Sequence, residues 1–132
     1  MAENVTPVVL KVKDFAEREV MLVDYKFNQA TDTEGQVAGI VRGGQVNIRV
    51  KALNDGNPEL LNWMINPADP RDITIEFQNT KDGSAMKTLK GTGCYCVHYK
   101  EFWEDGQEHY EDILLSCQKL ENGPVAYENP WR

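Results

Sequence analysis

Apolar and polar residues alternate along much of this chain with a period of two, the pattern of a β-strand with one buried face. The segment QVNIRVKAL is the clearest example, and EVMLVDYKF, DITIEFQN and YEDILLSCQKL show the same pattern. Weaker alternation runs over Val8–Val12. The pattern therefore predicts a strand over each of these segments. The residues expected to face the interior are Met21, Val23, Tyr25 and Phe27; Val46, Ile48, Val50 and Ala52; Ile73, Ile75 and Phe77; and Ile113, Leu115 and Cys117.

Turn-forming residue pairs separate the predicted strands at short intervals. Each pair ends in glycine, which readily adopts the backbone conformations of tight turns. Short strands at this spacing are typical of an all-β protein, so we predict a mainly β fold, an antiparallel β-barrel or sandwich. The pairs are Glu34-Gly35, Asp55-Gly56, Asp82-Gly83, Asp105-Gly106 and Asn122-Gly123.

The segment NPELLNWMINP is the exception, because its apolar residues repeat at helical spacing. Asn57 can cap a helix, Pro58 suits the first helical position, and Glu59 suits the first turn. A helix this short is unstable by itself, so we expect one short helix packed on the outside of the sheets. The face expected to contact the sheets consists of Leu60, Leu61, Met64 and Ile65.

The chain length of 132 residues suits one domain, residues 1–132. Residues 28–36, NQATDTEGQ, form a polar segment longer than a tight hairpin requires, which is either mobile or used for contact. Gly43 and Gly44 predict a bulge, a bend or a close approach of the backbone. Trp131 is expected to pack against its own chain or against another.

A net charge of -7 argues against partners that are bound through phosphate groups. We therefore expect neither nucleic acid nor an anionic membrane as a partner. No apolar run approaches the ~20 residues that span a bilayer, so membrane insertion is not expected. The N-terminal segment MAENVTPVVLKVKDF lacks the pattern of a secretory signal. We expect the chain to fold in the cytoplasm, with its cysteines reduced.

The segment CYCVH contains Cys94, Cys96 and His98, two cysteines and a histidine, and both residue types bind metals. On a strand these side chains share one face at about 7 Å per step, too far apart to close around one ion. A further ligand would have to come from Cys117 or His109. The favoured interpretation is that the cysteines pack as small apolar residues, and we expect no metal and no cofactor. Which face of this strand points inward is left open.

The two histidines flank a predicted hairpin turn, where they could approach each other. A cysteine hydrolase also needs an activated thiolate and an oxyanion hole, and no segment suggests one. We therefore predict that the protein is not an enzyme and has no catalytic residues. Acidic residues surround the same hairpin and are expected to form a solvated face; they are Glu101, Glu104, Asp105, Glu108, Glu111 and Asp112.

The order of segments over nearly the whole chain resembles a known family. These segments are VMLVDYKFNQATDTEGQVAGIVRGGQVNIRV, LLNWMINP, ITIEF, CYCVHYKEFW and ENPW. The sequence is similar to the tube subunits of type VI secretion systems, the haemolysin-coregulated protein (Hcp) family, in its Bacteroidetes-like branch. The resemblance implies a small β-barrel or sandwich whose hexameric rings stack into a hollow tube that carries effectors into target cells.

The resemblance also implies partners and contact residues. The partners would be further copies of the chain, the contractile sheath, the spike and baseplate, and effector proteins. The subunit would assemble in the cytoplasm and then leave the cell without a signal peptide. The loop after the second strand contacts neighbouring subunits in the family, which places Asp32, Thr33, Glu34 and Gly35 at an interface, with Trp131 as a further candidate. A monomeric β-barrel that binds a small ligand is the alternative.

Overall fold

The computed structural model describes residues 7–53, 55–79, 81–82 and 84–131. The fold is mainly β with one short helix, as predicted. The first six residues, which carry much of the signal-sequence argument, lie outside the described ranges, as does Gly83 of the predicted Asp82-Gly83 turn. The elements are β1 (Val8–Val12), β2 (Arg18–Tyr25), β3 (Gln45–Lys51), α1 (Glu59–Ile65), β4 (Arg71–Gln78), β5 (Ala85–Phe102), β6 (Tyr110–Asn122) and β7 (Val125–Glu128).

Six strands close into an antiparallel barrel in the order β3-β2-β1-β4-β5-β6, and β3 pairs again with β6. The length of β6 permits this closure. Its first half pairs with β3, from Lys51 opposite Tyr110 to Gln45 opposite Ser116. Its last residues pair with the extra strand β7. Closure removes most free strand edges and encloses one core.

The predicted alternation is confirmed for the strands that line the barrel interior. In β3, and in β6 from Glu111 to Cys117, every second residue is buried, as are Ile73 and Ile75 in β4, while the residues between them are more exposed. Ala52 and Phe77 are only half-buried, because they lie at or beyond the end of the regular pairing. The fully or nearly fully buried residues of these strands are Val46, Ile48, Val50, Ile73, Ile75, Ile113, Leu115, Cys117 and Leu120.

The predicted inward-facing residues of β2 are wrong in the first half of the strand. The pairing of β2 with β3 shifts between Val20 and Leu22, and this β-bulge changes which residues face inward. Val20, Val23 and Tyr25 pack against the core, whereas Met21 is exposed. Phe27, also predicted to face inward, follows the end of the strand and is exposed at 41%.

The helix is confirmed, but its buried face differs from the prediction. The N-cap is Pro58, and no side chain caps the helix, so the expected cap by Asn57 is wrong. Leu60 and Trp63 are buried, whereas Leu61 and Ile65 of the predicted face are exposed.

The contacts of Trp63 explain why the helix is rotated about its axis relative to the prediction and buries Trp63 instead of Leu61 and Ile65. Its indole N–H donates to the Asp69 carbonyl at 2.7 Å, and its ring packs edge-on against Phe15. Met64, the remaining member of the predicted face, packs partly against the core. None of the helices in the described ranges is long and apolar enough to cross a membrane.

Candidate functional site

The segment between β2 and β3 is an ordered two-stranded ribbon, which we define as residues 28–42. At its base, the backbones of Asn28 and Arg42 exchange two hydrogen bonds of 2.7 and 3.0 Å. Further along, the Ala38 N–H donates to the Ala30 carbonyl at 2.8 Å. The predicted loop of residues 28–36 is therefore one arm and the tip of a longer ribbon.

The tip of the ribbon is a turn built around one carboxylate. Asp32 Oδ1 accepts hydrogen bonds from the backbone N–H groups of Glu34 and Gln36, both at 2.9 Å. Gly35 donates its N–H to the Asp32 carbonyl and has a φ of 85°, a conformation that favours glycine. The turn thus holds Asp32, Thr33, Glu34 and Gly35 together, and all four are exposed.

The side chains of the ribbon do not contribute to the barrel core. Every residue from 28 to 40 is exposed. Val37 and Ile40 are apolar yet 66% and 63% exposed. Large apolar residues that stay exposed on a hydrogen-bonded surface element are typical of a protein–protein contact.

Trp131 lies at the base of the ribbon rather than at its tip. It is 42% exposed, and its ring centroid is 6.1 Å from that of Tyr95. It contacts its own chain and also keeps an open face. Trp131 lines a surface groove of about 730 Å³ whose other walls include Lys26, Ile40, Arg42, Ser116 and Asn129.

Asn129 joins the C-terminal segment to the base of the ribbon, a role that sequence reasoning missed. Its side-chain amide donates to the carbonyls of Cys117 at 2.9 Å and Gly43 at 3.3 Å. The Tyr127 hydroxyl lies 3.0 Å from the Val41 carbonyl and 2.9 Å from Asn129 Oδ1. In the sequence, the ENPW segment offers only its tryptophan as a contact candidate, since nothing in the pattern indicates what Asn129 binds.

Gly44, the second of the two glycines that follow the ribbon, lies where no side chain would fit. A Cβ atom at this position would lie 2.5 Å from the Asn129 amide nitrogen and 2.9 Å from the Cys117 carbonyl oxygen. The backbone there also has a φ of 89°. Of the three alternatives, a bulge, a bend or a close approach of the backbone, the contacts at Gly44 show the close approach, which allows Asn129 to bridge β6 and the ribbon.

The predicted row of Cys94, Cys96 and His98 is wrong at His98, because a bulge separates it from the two cysteines. The pairing of β5 with β6 shifts between Cys96 and His98. Cys94 and Cys96 consequently face the core, whereas His98 is exposed and Tyr99 takes the inward position. Among the described residues, no group of three potential metal ligands comes together.

The two residues considered as further ligands lie in different places. Cys117 faces Cys94 across β5 and β6, with 2.7 Å between the sulfurs. His109 instead lies 2.8 Å from a carboxylate oxygen of Glu101.

Burial raises the pKa of the Cys96 thiol to about 11, and the hydrogen bond with Cys117, together with burial, raises the pKa of the Cys94 thiol. Both thiols are therefore protonated at neutral pH and are poor nucleophiles.

The expected solvated acidic face is wrong for Glu111, which is buried. Its carboxylate pairs with the buried guanidinium of Arg18 and accepts a hydrogen bond of 2.5 Å from the Tyr99 hydroxyl. Burial and this carboxylate raise the pKa of Tyr99. Asp112 is half-buried and pairs with Arg49 at 2.8 Å. The alternation of β6 could have indicated Glu111, since Glu111 shares a face with Ile113 and Leu115.

Comparison with solved structures shows the same fold in proteins of one family. Hcp1 from Flavobacterium johnsoniae superposes with a TM-score of 0.85 at 29% sequence identity, covering 93% of this chain and 99% of that one. Hcp1 from Salmonella typhimurium gives a TM-score of 0.74 at 12% identity, covering 92% and 93%. The secreted protein Hcp3 from Pseudomonas aeruginosa gives 0.65 at 14% identity, covering 97% and 99%.

A comparison with models of protein families agrees with this similarity over almost the entire chain, whereas a comparison with single sequences does not extend it. No curated protein sequence gave a significant match. The model of the family described as TssD, hemolysin coregulated protein Hcp, matches residues 6–132. The barrel, the ribbon and the C-terminal segment all fall within the matched range, and the chain therefore belongs to the Hcp (TssD) family, the tube proteins of type VI secretion systems.

Proposed function

We propose that six copies of this tube subunit form a ring, and that the rings stack into a hollow tube that carries effector proteins. The family match over residues 6–132 is the observation that carries this proposal. The described surface suits it, since a closed barrel provides a rigid wall while an ordered ribbon projects from it. A rigid wall with a protruding contact element can build a closed ring from identical units.

The ribbon tip and the groove at the ribbon base are the proposed contact surfaces. The tip comprises Asp32, Thr33, Glu34 and Gly35, and the groove contains Trp131. Two carboxylates lie at the tip, whereas Lys26 and Arg42 line the groove together with a single carboxylate, Asp24, so that the groove keeps a net positive charge. Opposite charges on two different surfaces of one chain favour a head-to-tail contact between copies. Exposed apolar side chains on the ribbon would then be covered in the assembly.

The remaining partners follow from the role of a tube. We propose that the contractile sheath surrounds the stacked rings, that the spike and baseplate support them, and that effectors occupy the lumen. The subunit would fold in the cytoplasm and leave the cell with the tube rather than through the general secretory route. The net charge of -7 supports a role without nucleic acid or membrane insertion. The raised pKa values of the Cys94 and Cys96 thiols support a structural rather than a catalytic role.

The alternative of a small-ligand-binding barrel is not supported. The interior of the barrel is filled by its own side chains, among them Leu10, Ile75 and Leu115, each completely buried. A barrel of six strands is also narrower than the eight-stranded barrels that hold one small ligand. The family match provides no support for a monomeric ligand carrier.

Light scattering and negative-stain imaging of the purified chain test the proposal. The expected result is a mass near six subunits and rings with an open centre. A monomer at all concentrations, in a sample whose circular dichroism shows a folded β protein, would contradict ring formation by the subunit alone.

A pair of matched charge reversals tests the contact surface. Glu34→Arg at the ribbon tip should reduce ring formation, and Trp131→Ala should reduce it independently. Glu104→Arg is the control, since it makes the same charge change at an exposed position near the tip of the hairpin between β5 and β6. An equal loss of rings in both charge reversals would show that net charge, not the ribbon, governs assembly.

A further inference from the structure

The thiols of Cys94 and Cys117 face each other inside the barrel, on neighbouring strands. The two residues are directly opposite in the pairing of β5 and β6, both are completely buried, and their sulfurs lie 2.7 Å apart. Both cysteines are in the reduced state in this structure. Two thiols in contact across a strand pair can be joined without rearranging the sheet, provided that the backbone spacing is suitable.

The backbone hydrogen bonds show that the spacing is suitable. The Cys117 N–H donates to the Gly44 carbonyl at 2.7 Å, toward β3 and away from β5. Cys94 and Cys117 therefore form the non-hydrogen-bonded type of antiparallel pair, in which the Cα atoms lie about 4.5 Å apart and the side chains are closest. This separation is within the range of about 4.4–6.8 Å that disulfides span.

A third residue leaves space for the two sulfurs. Gly91 precedes Cys94 on β5, and a Cβ atom at Gly91 would lie 2.7 Å from the Cys94 sulfur and 3.0 Å from the Cys117 sulfur. Cys96 has a different environment, because it lies opposite Leu115 and its sulfur is 3.5 Å from the His98 carbonyl oxygen. The third cysteine therefore provides a buried thiol on the same strand that is not opposite another cysteine.

We propose that Cys94 and Cys117 form a redox modification site, which a low-molecular-weight disulfide oxidises to an intrachain disulfide. One thiol loses its proton and attacks the reagent, which forms a mixed disulfide and releases one thiol. The second thiolate then displaces the remaining half of the reagent. In total, two protein thiols and one disulfide reagent give one protein disulfide and two free thiols.

Burial determines when this reaction proceeds. The two sulfurs are inaccessible in the closed barrel, so oxidation requires either local opening of the strands or folding in the presence of the oxidant. In a reducing cytoplasm the pair stays reduced. The biological setting rests on the proposed function, because delivery of a tube moves the subunit into an oxidising environment. There the disulfide would restrict the unfolded chain and stabilise a subunit that has left its ring.

Refolding in oxidised glutathione, followed by mass spectrometry of the intact chain and of its peptides, tests this inference. The expected product has lost two hydrogen atoms, contains a peptide pair linked through Cys94 and Cys117, and retains a free thiol at Cys96. Its melting temperature should exceed that of the reduced protein by roughly 5 °C or more.

Serine variants of the cysteines are the matched controls. Cys96→Ser should give the same disulfide, whereas Cys117→Ser should give none; Cys117→Ala serves if the serine variant does not fold. Three free thiols after refolding, or a linkage that involves Cys96, would overturn the inference. The light-scattering mass separates the two proposals: rings without the disulfide contradict only this inference, and the disulfide without rings contradicts only the proposed assembly.

Discussion

The seam between β3 and β6 and the ribbon of residues 28–42 are both antiparallel two-stranded pairings, yet they differ in what their side chains do. Along the seam, every second residue of both strands is buried in the core. Along the ribbon, the side chains from residue 28 to residue 40 are exposed, although its backbone also forms cross-strand hydrogen bonds of 2.7 to 3.0 Å. Backbone pairing is common to both regions, whereas side-chain burial is found only in the seam.

This difference separates the part of the molecule that stabilises the fold from the part that is available for contact. A two-stranded hairpin without a buried face is marginally stable in water. The ribbon depends instead on three local devices: the Asp32 turn at its tip, the close approach at Gly44 and the Asn129 amide at its base. Substitutions in the seam should therefore lower the free energy of unfolding, and substitutions on the exposed ribbon should reduce ring formation.

The largest loss of stability is expected for Glu111→Ala. This change leaves the Arg18 guanidinium buried at 4% exposure without its carboxylate partner. Removing one member of a buried ion pair costs about 3–5 kcal/mol of the free energy of unfolding. Urea denaturation measures the loss. Asp112→Ala is the control, because its ion pair with Arg49 is more exposed and should matter much less; equal losses would contradict the distinction.

The next largest effect is expected for Gly44→Ala, where the ribbon joins the seam. The new methyl group would contact the Cys117 carbonyl oxygen and the Asn129 amide, in a backbone conformation that already strains alanine. We expect a loss of about 3 kcal/mol by urea denaturation. Gly106→Ala has a similar φ of 79° with open space around it and should cost about 1 kcal/mol. If the two losses are the same, the close approach has no energetic consequence.

Asn129→Ala should have an intermediate effect on stability and a local effect on the ribbon. It removes the amide that binds the Cys117 and Gly43 carbonyls, at a cost of about 1–2 kcal/mol. Amide exchange of Asn28 and Arg42 should become faster than in the unmodified protein. Asn47→Ala, which removes an exposed hydrogen bond to Asp24, is the control and should change neither. Unchanged exchange at the ribbon base would show that Asn129 does not anchor it.

The smallest effect on stability is expected for Val37→Ser on the ribbon. Val37 is 66% exposed, so its replacement should alter the free energy of unfolding by less than about 0.5 kcal/mol. Ring formation measured by light scattering should nevertheless decrease. Val125→Ser on β7, where the side chain is 70% exposed, is the matched control and should leave the rings intact. The opposite ranking of the two variants would place the contact surface on β7.

The sequence predicted those elements whose side chains alternate without interruption. For β3, β4 and β6, the period of two is sufficient to assign the buried face. It failed where a bulge changes the period, after Val20 in β2 and after Cys96 in β5, because bulges depend on pairing with another strand. The alternation of apolar and polar residues in β2 and β5 does not indicate where these register shifts occur.

Individual polar contacts were equally hard to predict. The rotation of the helix follows from the hydrogen bond between Trp63 and the Asp69 carbonyl, which no periodicity encodes. The burial of Glu111 requires Arg18, which is distant in the sequence. Of the proposed contact residues, the four at the ribbon tip were predictable as a turn, whereas the placement of Trp131 at the ribbon base follows only from the fold.

Amide hydrogen exchange of assembled rings against dissociated subunits tests the division between seam and ribbon most directly. We predict that peptides covering residues 28–42 exchange markedly more slowly in the ring, because neighbouring copies cover the ribbon. Peptides from β3 and β6 should be protected in both states, because the core already covers them. Equal exchange of residues 28–42 in rings and in dissociated subunits would contradict the claim that the ribbon is a subunit contact.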